Sequence, residues 1–336
     1  MRVEGRGGFV VSLDFELYWG VRDHRRLDGS ERKRLLAARS VVPKILAAFR
    51  DHEIRATWAT VGFLFARSRE EALTCRPEHL PGYQKAQLDP YVEQMGRDES
   101  EDPFRFAPSL IREIQQVAGQ EIGSHSYSHY YSLEAGQGDK EFRADITSAI
   151  RIAENSGYRL RSYVFPRNQV RRLYLPILQQ AGFHAYRGTE PAASKAPVTY
   201  HEQRRPWLRA LRLADAYWDL NGPQTVAFPK GGRLARVAAS RYLRPFSPAL
   251  SSLESVRFRR IATAMKSAAT EGRIFHLWWH PEDFAGHPDR NIEFLRKVLN
   301  AFDKYRRHDG MASLSMGDVG RMSDDSVTAQ SSGSAN

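Results

Sequence analysis

Along most of the chain a short apolar run of strand character alternates with a segment whose apolar residues recur at helical spacing. Gly8 to Leu17 reads as a buried strand, Phe-Val-Val-Ser-Leu, that ends in a charged cluster. From Glu31 to Arg50, residues Leu35, Leu36, Val42, Ile45, Leu46 and Phe49 fall on one helical face. Ser30 is the expected N-cap of that helix, and Pro43 is expected to kink or divide it. Further strands are predicted at Arg55–Phe63, Gln120–Ser124, Arg161–Asn168, Phe183–Gly188, Gly272–His280 and Met311–Met316. Helices are predicted at Ser109–Ala118, Lys140–Ser156, Leu173–Ala181, Leu208–Ala216, Arg257–Ala269 and Asp289–Arg306. Such alternation implies an α/β fold in which crossover helices join a parallel sheet. About seven units favour a deformed parallel (β/α) barrel over an open sheet. The expected organisation is one domain over residues 1–322 with two insertions, at about 66–108 and 192–270. The serine-rich tail, 323–336, is expected to be disordered.

Composition changes this picture in two places. With 336 residues, 41% apolar and 26% charged, the chain has the make-up of a soluble globular protein. No apolar run approaches the ~18 residues of a membrane span, and the N-terminus lacks the apolar core of a secretory signal. One cysteine, Cys75, excludes an internal disulfide framework and a cysteine-based metal site, and fits a reducing cytoplasm. The net charge of +11 is concentrated: Lys195 to Arg273 holds 15 Lys/Arg against 5 Asp/Glu. A chain-wide case for nucleic-acid binding therefore fails. This one basic segment, rich in arginine and aromatic residues, is expected to meet an anionic part of a substrate or an anionic membrane surface.

The candidate chemistry lies at strand ends. Asp14 and Glu16 stand two apart on the first strand, so their side chains leave the same face, where two carboxylates repel unless a cation intervenes. His125 and His129 follow the third strand at a spacing common in two-histidine metal sites. Together they supply two imidazoles, one carboxylate to bind an ion and one left over as a base. His276, Trp278 and His280 share one face of a later strand. His280, at its C-terminal end, is the better acid, and His276 is expected to be a hydrogen-bonded core histidine. Trp19, Trp278 and Trp279 are candidate walls for a sugar ring.

These motifs resemble the polysaccharide deacetylases, also called the NodB-homology or carbohydrate esterase 4 family. The segment Glu121-Ile-Gly-Ser-His-Ser-Tyr-Ser-His129 closely matches the family's second motif. Asp14-Phe-Glu16 looks like its first, in the spaced-carboxylate form of a cytoplasmic branch. Arg273-Ile-Phe-His-Leu-Trp-Trp-His280 resembles its last. The resemblance implies Asp14 as catalytic base, with Glu16, His125 and His129 as metal ligands and His280 as general acid. The two carboxylates are open to exchange of roles. In place of the third motif stands Tyr163-Val-Phe-Pro-Arg-Asn168, with Val164 where the family has arginine; Arg167 is the candidate to reach the base, and Pro166 and Asn168 to line the substrate site. The implied cofactor is a divalent metal, with Zn²⁺ expected and Fe²⁺, Co²⁺ and Ni²⁺ suited to the same donors. The implied reaction is hydrolytic removal of an N-acyl group, N-acetyl above all, from a sugar or glycan precursor. Lipid-linked and nucleotide-linked sugars are candidates, as in bacterial surface polysaccharide assembly. Hydrolysis of a small non-sugar amide and a non-catalytic carbohydrate- or phosphate-binding barrel remain as alternatives.

Overall fold

Strand β1 (Gly8–Phe15) is buried along its whole length, as a parallel strand covered on both faces must be. On one side it pairs with β8 (Ile274–Trp279) from Gly8 to Leu13. On the other, β9 (Ala312–Leu314) takes Gly8 to Val10, and β2 (Ala56–Thr60) takes Val11 to Phe15. From β2 the sheet continues through β3 (Gln120–Ser124), β4 (Ser162–Tyr163) and β5 (Ala185–Gly188) to β6 (Ala235–Ala238). At the other edge β8 pairs with β7 (Arg241–Tyr242), and every pairing of these strands is parallel. This computed structural model describes residues 6–190, 199, 202, 205–218, 222 and 224–333.

Strands β6 and β7 are two halves of one segment that bends at Ala239–Ser240. There the Ala239 N–H donates to Gly188 O on β5, and the Ser240 N–H to His276 O on β8. One bent strand thus joins both edges of the sheet into a deformed barrel. The stretch expected as an insertion at 192–270 therefore contributes part of the barrel wall. Its Ala-Arg-Val-Ala-Ala-Ser-Arg-Tyr sequence hides the strand, because small residues and arginines weaken the apolar alternation.

Period-two alternation divides the strands between two cores. Phe9, Val11, Leu13, Phe15, Trp58, Phe275, Leu277 and Trp279 pack outward against the helices. Val10, Ala185, Ala235, Ile274 and Leu314 point inward and form an apolar floor, joined by Met316 and Val319. The surrounding helices are α1 (Gly29–Asp51), α2 (Arg69–Thr74), α3 (Pro108–Gln116), α4 (Asp139–Asn155), α5 (Leu175–Gln180), α6 (Pro206–Tyr217), α7 (Glu254–Thr270), α8 (Pro288–Asp309) and α9 (Met316–Gly333). Pro43 sits inside an unbroken α1, whose N-cap is Asp28 rather than Ser30: the Asp28 carboxylate accepts the Glu31 N–H at 2.9 Å. Helix α9 continues into the stretch from Ser323 for which composition predicts disorder. It starts from reciprocal Ser315–Asp318 hydrogen bonds (3.1 and 2.9 Å), and Arg55 clamps Asp318 at 2.5 Å. Residues 334–336 lie outside the described part. The expected insertion at 66–108 holds α2 and two short turns, and no barrel strand.

Past β2, the Gly62 N–H donates to Ser126 O at 2.9 Å and the Phe63 N–H to Tyr127 O at 3.1 Å, which ties this turn to the loop after β3. A Cβ at Gly62 would lie 2.7 Å from the Tyr127 Cα. Gly62→Ala must push that loop outward, at a cost of about 1–3 kcal/mol. We expect a lowered Tm, and divalent-metal affinity reduced more than stability alone accounts for, measured by thermal melts beside metal titration.

Candidate active site

The inward positions of β1 climb from the floor as Val10, Ser12 and Asp14, with Glu16 just past the strand end. Asp14 meets Arg187, the inward residue near the end of β5. Its two carboxylate oxygens accept from Arg187 Nη1 and Nη2 at 2.5 and 2.6 Å, and the Arg187 side chain is fully buried. Arg187 also donates to Asn168 Oδ1 at 3.0 Å and Ser12 Oγ at 3.2 Å. Its guanidinium lies over the Trp278 ring, 4.3 Å from the centroid. Arg167, expected to reach Asp14, instead bonds both oxygens of Asp23 at 2.7 Å. Its position past the end of β4, at φ 57°, carries it toward the turn after β1. The arginine on the candidate base thus comes from a different strand. A lone charge at an inward position of a predicted strand, Ala185-Tyr-Arg187-Gly188, was the signal available in the sequence.

Glu16 meets the histidines. Its Oε1 lies 2.8 Å from His125 Nε2 and 3.3 Å from His129 Nε2. His125 Nδ1 is 3.0 Å from Val164 O. A carbonyl only accepts, so Nδ1 carries a hydrogen and Nε2 is the nitrogen turned to the carboxylate. Burial holds His129 below the usual histidine range against the pull of Glu16. Burial would raise the Glu16 carboxyl, yet the charges of His129 and His280 and the bonds to both histidines hold it well below the usual range. A carboxylate and two neutral imidazoles are the forms in which such residues ligate a divalent ion, so binding one there would release any proton they share. Their donor atoms lie within 4.8 Å of one another, so the three residues fit such an ion.

Neighbouring residues hold these ligands in place. Buried Asp145 on α4 accepts the N–H groups of Tyr127 (2.7 Å) and Ser128 (3.2 Å) and the Ser128 hydroxyl (2.6 Å), which fixes the loop between the histidines. Burial pushes its carboxyl up to about 6. Glu282 Oε1 accepts the N–H groups of Leu17 and Glu16 at 2.5 and 3.2 Å. A Cβ at Gly20 would overlap the Glu16 carboxylate. Of seven non-glycine residues with positive φ among the described residues, five (Leu17, Ser126, His129, Arg167 and Asn168) sit in these turns. Backbone strain is thus concentrated around the cluster.

His280 follows β8, with its side chain about a third exposed (31%). Nδ1 bonds Asp283 Oδ2 at 2.9 Å, and Asp283 also accepts the Tyr242 hydroxyl at 2.6 Å. Nε2 is directed at the two carboxylates, 3.8 Å from Asp14 and 3.9 Å from Glu16. Burial works against its charged form, but Asp283, Glu16 and Asp14 push its pKa up to about 10. His276 is a core residue: Nε2 bonds Ser12 Oγ at 2.8 Å, and burial with Arg187 nearby lowers its pKa to about 3. A cavity of about 460 Å³ opens over the cluster and includes Asp14, Glu16, His129, Asn168, Trp278 and His280 in its walls. Trp19 does not line it. Its ring stacks on Phe63 at 4.2 Å, and its N–H is used by Arg105 O, because the turn at Leu17–Gly20 directs it into the core. Pro166 is buried and likewise absent from the walls.

Residues 28–186 match the family described as polysaccharide deacetylase. This match bears out the resemblance to polysaccharide deacetylases over a little under half of the chain. It is similar in fold to a putative polysaccharide deacetylase from Mycobacterium smegmatis, at 14% identity and a TM-score of 0.59 over 97% of this chain and 92% of that one. A probable polysaccharide deacetylase from Pseudomonas aeruginosa PAO1 aligns at 14% identity and TM-score 0.52, over 94% and 89%. Puue allantoinase does so at 14% and 0.50, over 94% and 88%. No curated protein matches the sequence significantly. His125 and His129 fall inside the matched stretch, whereas Asp14, Glu16, Arg187 and His280 lie outside it.

Removing the cation from a buried pair costs about 3–5 kcal/mol, because the remaining charge is left uncompensated. Arg187→Met is therefore expected to lower stability by that order. The double variant Asp14→Asn/Arg187→Met should recover much of the loss in urea unfolding. A double variant no more stable than Arg187→Met would show that the two groups do not depend on each other.

Proposed function

We propose that this chain is a metal-dependent amide hydrolase that removes an N-acyl group, N-acetyl in the first instance, from a sugar or glycan precursor. The observation that carries this reading is the convergence of Glu16, His125 and His129 beside two separately organised groups, Asp14 on Arg187 and His280 on Asp283. A divalent ion held by Glu16, His125 and His129 supplies a Lewis acid that acidifies water and polarises an acyl carbonyl. Asp14, with both oxygens oriented by Arg187, keeps a second lone pair on each and takes a proton from the attacking water. His280 gives the proton at Nε2 to the departing amine, while Asp283 at Nδ1 fixes the ring and favours the charged form. The products are the short acid and a free amino group.

The cavity volume lies within the range of pockets that enclose a drug-sized ligand, which suits a sugar unit. Trp278 gives it an aromatic wall, with its N–H on Glu190 at 3.2 Å. Resemblance to a sugar-directed family favours a saccharide over a small non-sugar amide. A barrel that only binds carbohydrate has no use for a base and an acid held on separate partners. We assign the reaction to cytoplasmic assembly of bacterial surface polysaccharide, on the family's substrates and the single, buried Cys75.

Elemental analysis is expected to find about one divalent ion per chain, lost in His125→Ala and in Glu16→Gln, with acetate release from N-acetyl sugars lost in parallel. A wild-type chain that stays metal-free after reconstitution would sink the reading. The pH profile tests the acid. His280 must be protonated to act, and the carboxylates that raise its pKa keep it so above neutrality. Asp283→Asn removes the largest of these contributions, so the pKa falls and the basic limb of kcat/KM moves to lower pH, by about 1–3 units.

A further inference from the structure

Five arginines stand in the walls of the cavity: Arg25, Arg34, Arg167, Arg241 and Arg244. Arg167 is held by Asp23 at 2.7 Å, and Arg241 donates to the Asp215 carbonyl at 3.1 Å. Arg25 and Arg34 share one carboxylate, Glu31, at 3.2 and 2.5 Å. Two guanidinium groups therefore share one ion-paired carboxylate, while Glu282 and Asp283, engaged with the Leu17 turn and His280, act on Arg34 from farther off. Arg244 has no carboxylate within ion-pair distance among the described residues, and its polar neighbour is the Tyr217 hydroxyl. The wall thus carries about two positive charges beyond its carboxylate partners at these three residues. Two of the basic residues of the Lys195–Arg273 segment are used up in the framework: buried Arg257 pairs with Glu254 at 2.6 Å and buried Arg260 with Asp215 at 3.0 Å. Arg244 belongs to the same segment but faces the cavity.

We propose that this wall is a phosphoryl subsite, in which Arg244 and the Arg25–Arg34 pair bind the phosphate or pyrophosphate of a phosphorylated saccharide. Only the word saccharide rests on the hydrolase reading. The anion itself follows from the guanidinium surplus. A phosphate monoester carries about −1.5 to −2 at neutral pH, which matches two surplus charges, whereas a carboxylate neutralises only one. The planar arginine fork offers paired N–H donors to phosphate oxygens. The basic segment around Arg244 adds a field that draws such an anion toward the cavity.

The test uses full-length protein stripped of metal, so that the anion cannot sit on an ion, with inorganic pyrophosphate titrated by calorimetry at low salt. Saturable binding is expected, weakened at least about tenfold in Arg244→Ala and measurably in Arg25→Ala. Arg259→Ala, exposed on the same segment and away from the cavity walls, should bind as the wild type does. Arg25 is half exposed in a turn, so its variant serves where Arg244→Ala does not fold. Sedimentation with phosphatidate vesicles, beside phosphatidylcholine vesicles, separates the sources. Retention on phosphatidate that is lost in Arg244→Ala assigns the phosphoryl group to a lipid carrier. Pyrophosphate binding without retention assigns it to a soluble sugar phosphate or nucleotide sugar. No saturable pyrophosphate binding, or equal affinity in the Arg244→Ala, Arg25→Ala and Arg259→Ala variants, overturns the proposal. The titration needs neither ion nor turnover, so its failure would leave the hydrolase reading standing, and a chain without metal would leave the subsite standing.

Discussion

Asp14 and Arg187 face each other across the interior of the barrel, and the arrangement of the rest of the site follows from what it costs to place charges there. An ionised carboxylate in such a setting is tolerated only when paired and hydrogen-bonded. Arg187 meets that demand from β5 with two short bonds, and spends further donors on Asn168 and Ser12. Beneath the pair the interior turns apolar at Val10, Ala185 and Ile274. Above it the interior opens into the cavity. The pair separates a part of the barrel built for packing from a part built for chemistry, while the β1–β2–β3 pairings put Glu16 beside the histidines.

The ligand cluster is secured differently, through backbone conformations that no single residue would choose. Ser126 and His129 adopt left-handed geometry at φ 62° and 58°, which for such residues costs about 1–2 kcal/mol each. Asp145 offsets this by taking up two N–H groups and a hydroxyl of the same loop. Glu282 does the same for the turn at Leu17. Both carboxyls are buried and both are pushed above the ordinary range, to about 6 and about 7. The loops are therefore held by acceptors whose own burial is unfavourable, and the compensation lies in the hydrogen bonds they accept.

Much of this was legible in the sequence, and the boundary of legibility has a physical cause. Strand ends carry the site in a parallel barrel, so a period-two reading of Val11 to Glu16 and of His276 to His280 placed three of its members on the correct face. The spacing of His125 and His129, together with the family resemblance, placed the other two. Roles set by long-range pairing were out of reach. Val164 stands where an arginine was sought, and the next arginine along the chain, Arg167, was the natural substitute. The guanidinium that meets Asp14 sits 173 positions away in the chain, brought there by barrel closure. The closing strand was itself obscured by its alanines and arginines. Trp19 and Trp279 were read as pocket walls because aromatic faces suit sugar rings, but a turn of four residues rotates Trp19 into the core and strand alternation turns Trp279 outward to the helices.

The charge balance of the site favours chemistry on a neutral substrate group. Asp14 with Arg187 sums to zero, and so does charged His280 with Asp283. Glu282, pushed up to about 7 by burial and by Glu16, is largely neutral below that pH. What remains is Glu16 with two histidines, and a divalent ion held by them in their neutral form would leave one net positive charge at the mouth of the cluster. An amide develops negative charge on its oxygen as water adds, so the uncompensated charge is of the sign that the reaction requires. The acid and the base each have a partner of their own, Asp283 for His280 and Arg187 for Asp14. A site that only bound a neutral sugar would gain nothing from this separation, and would still bear the desolvation cost of every buried charge in it.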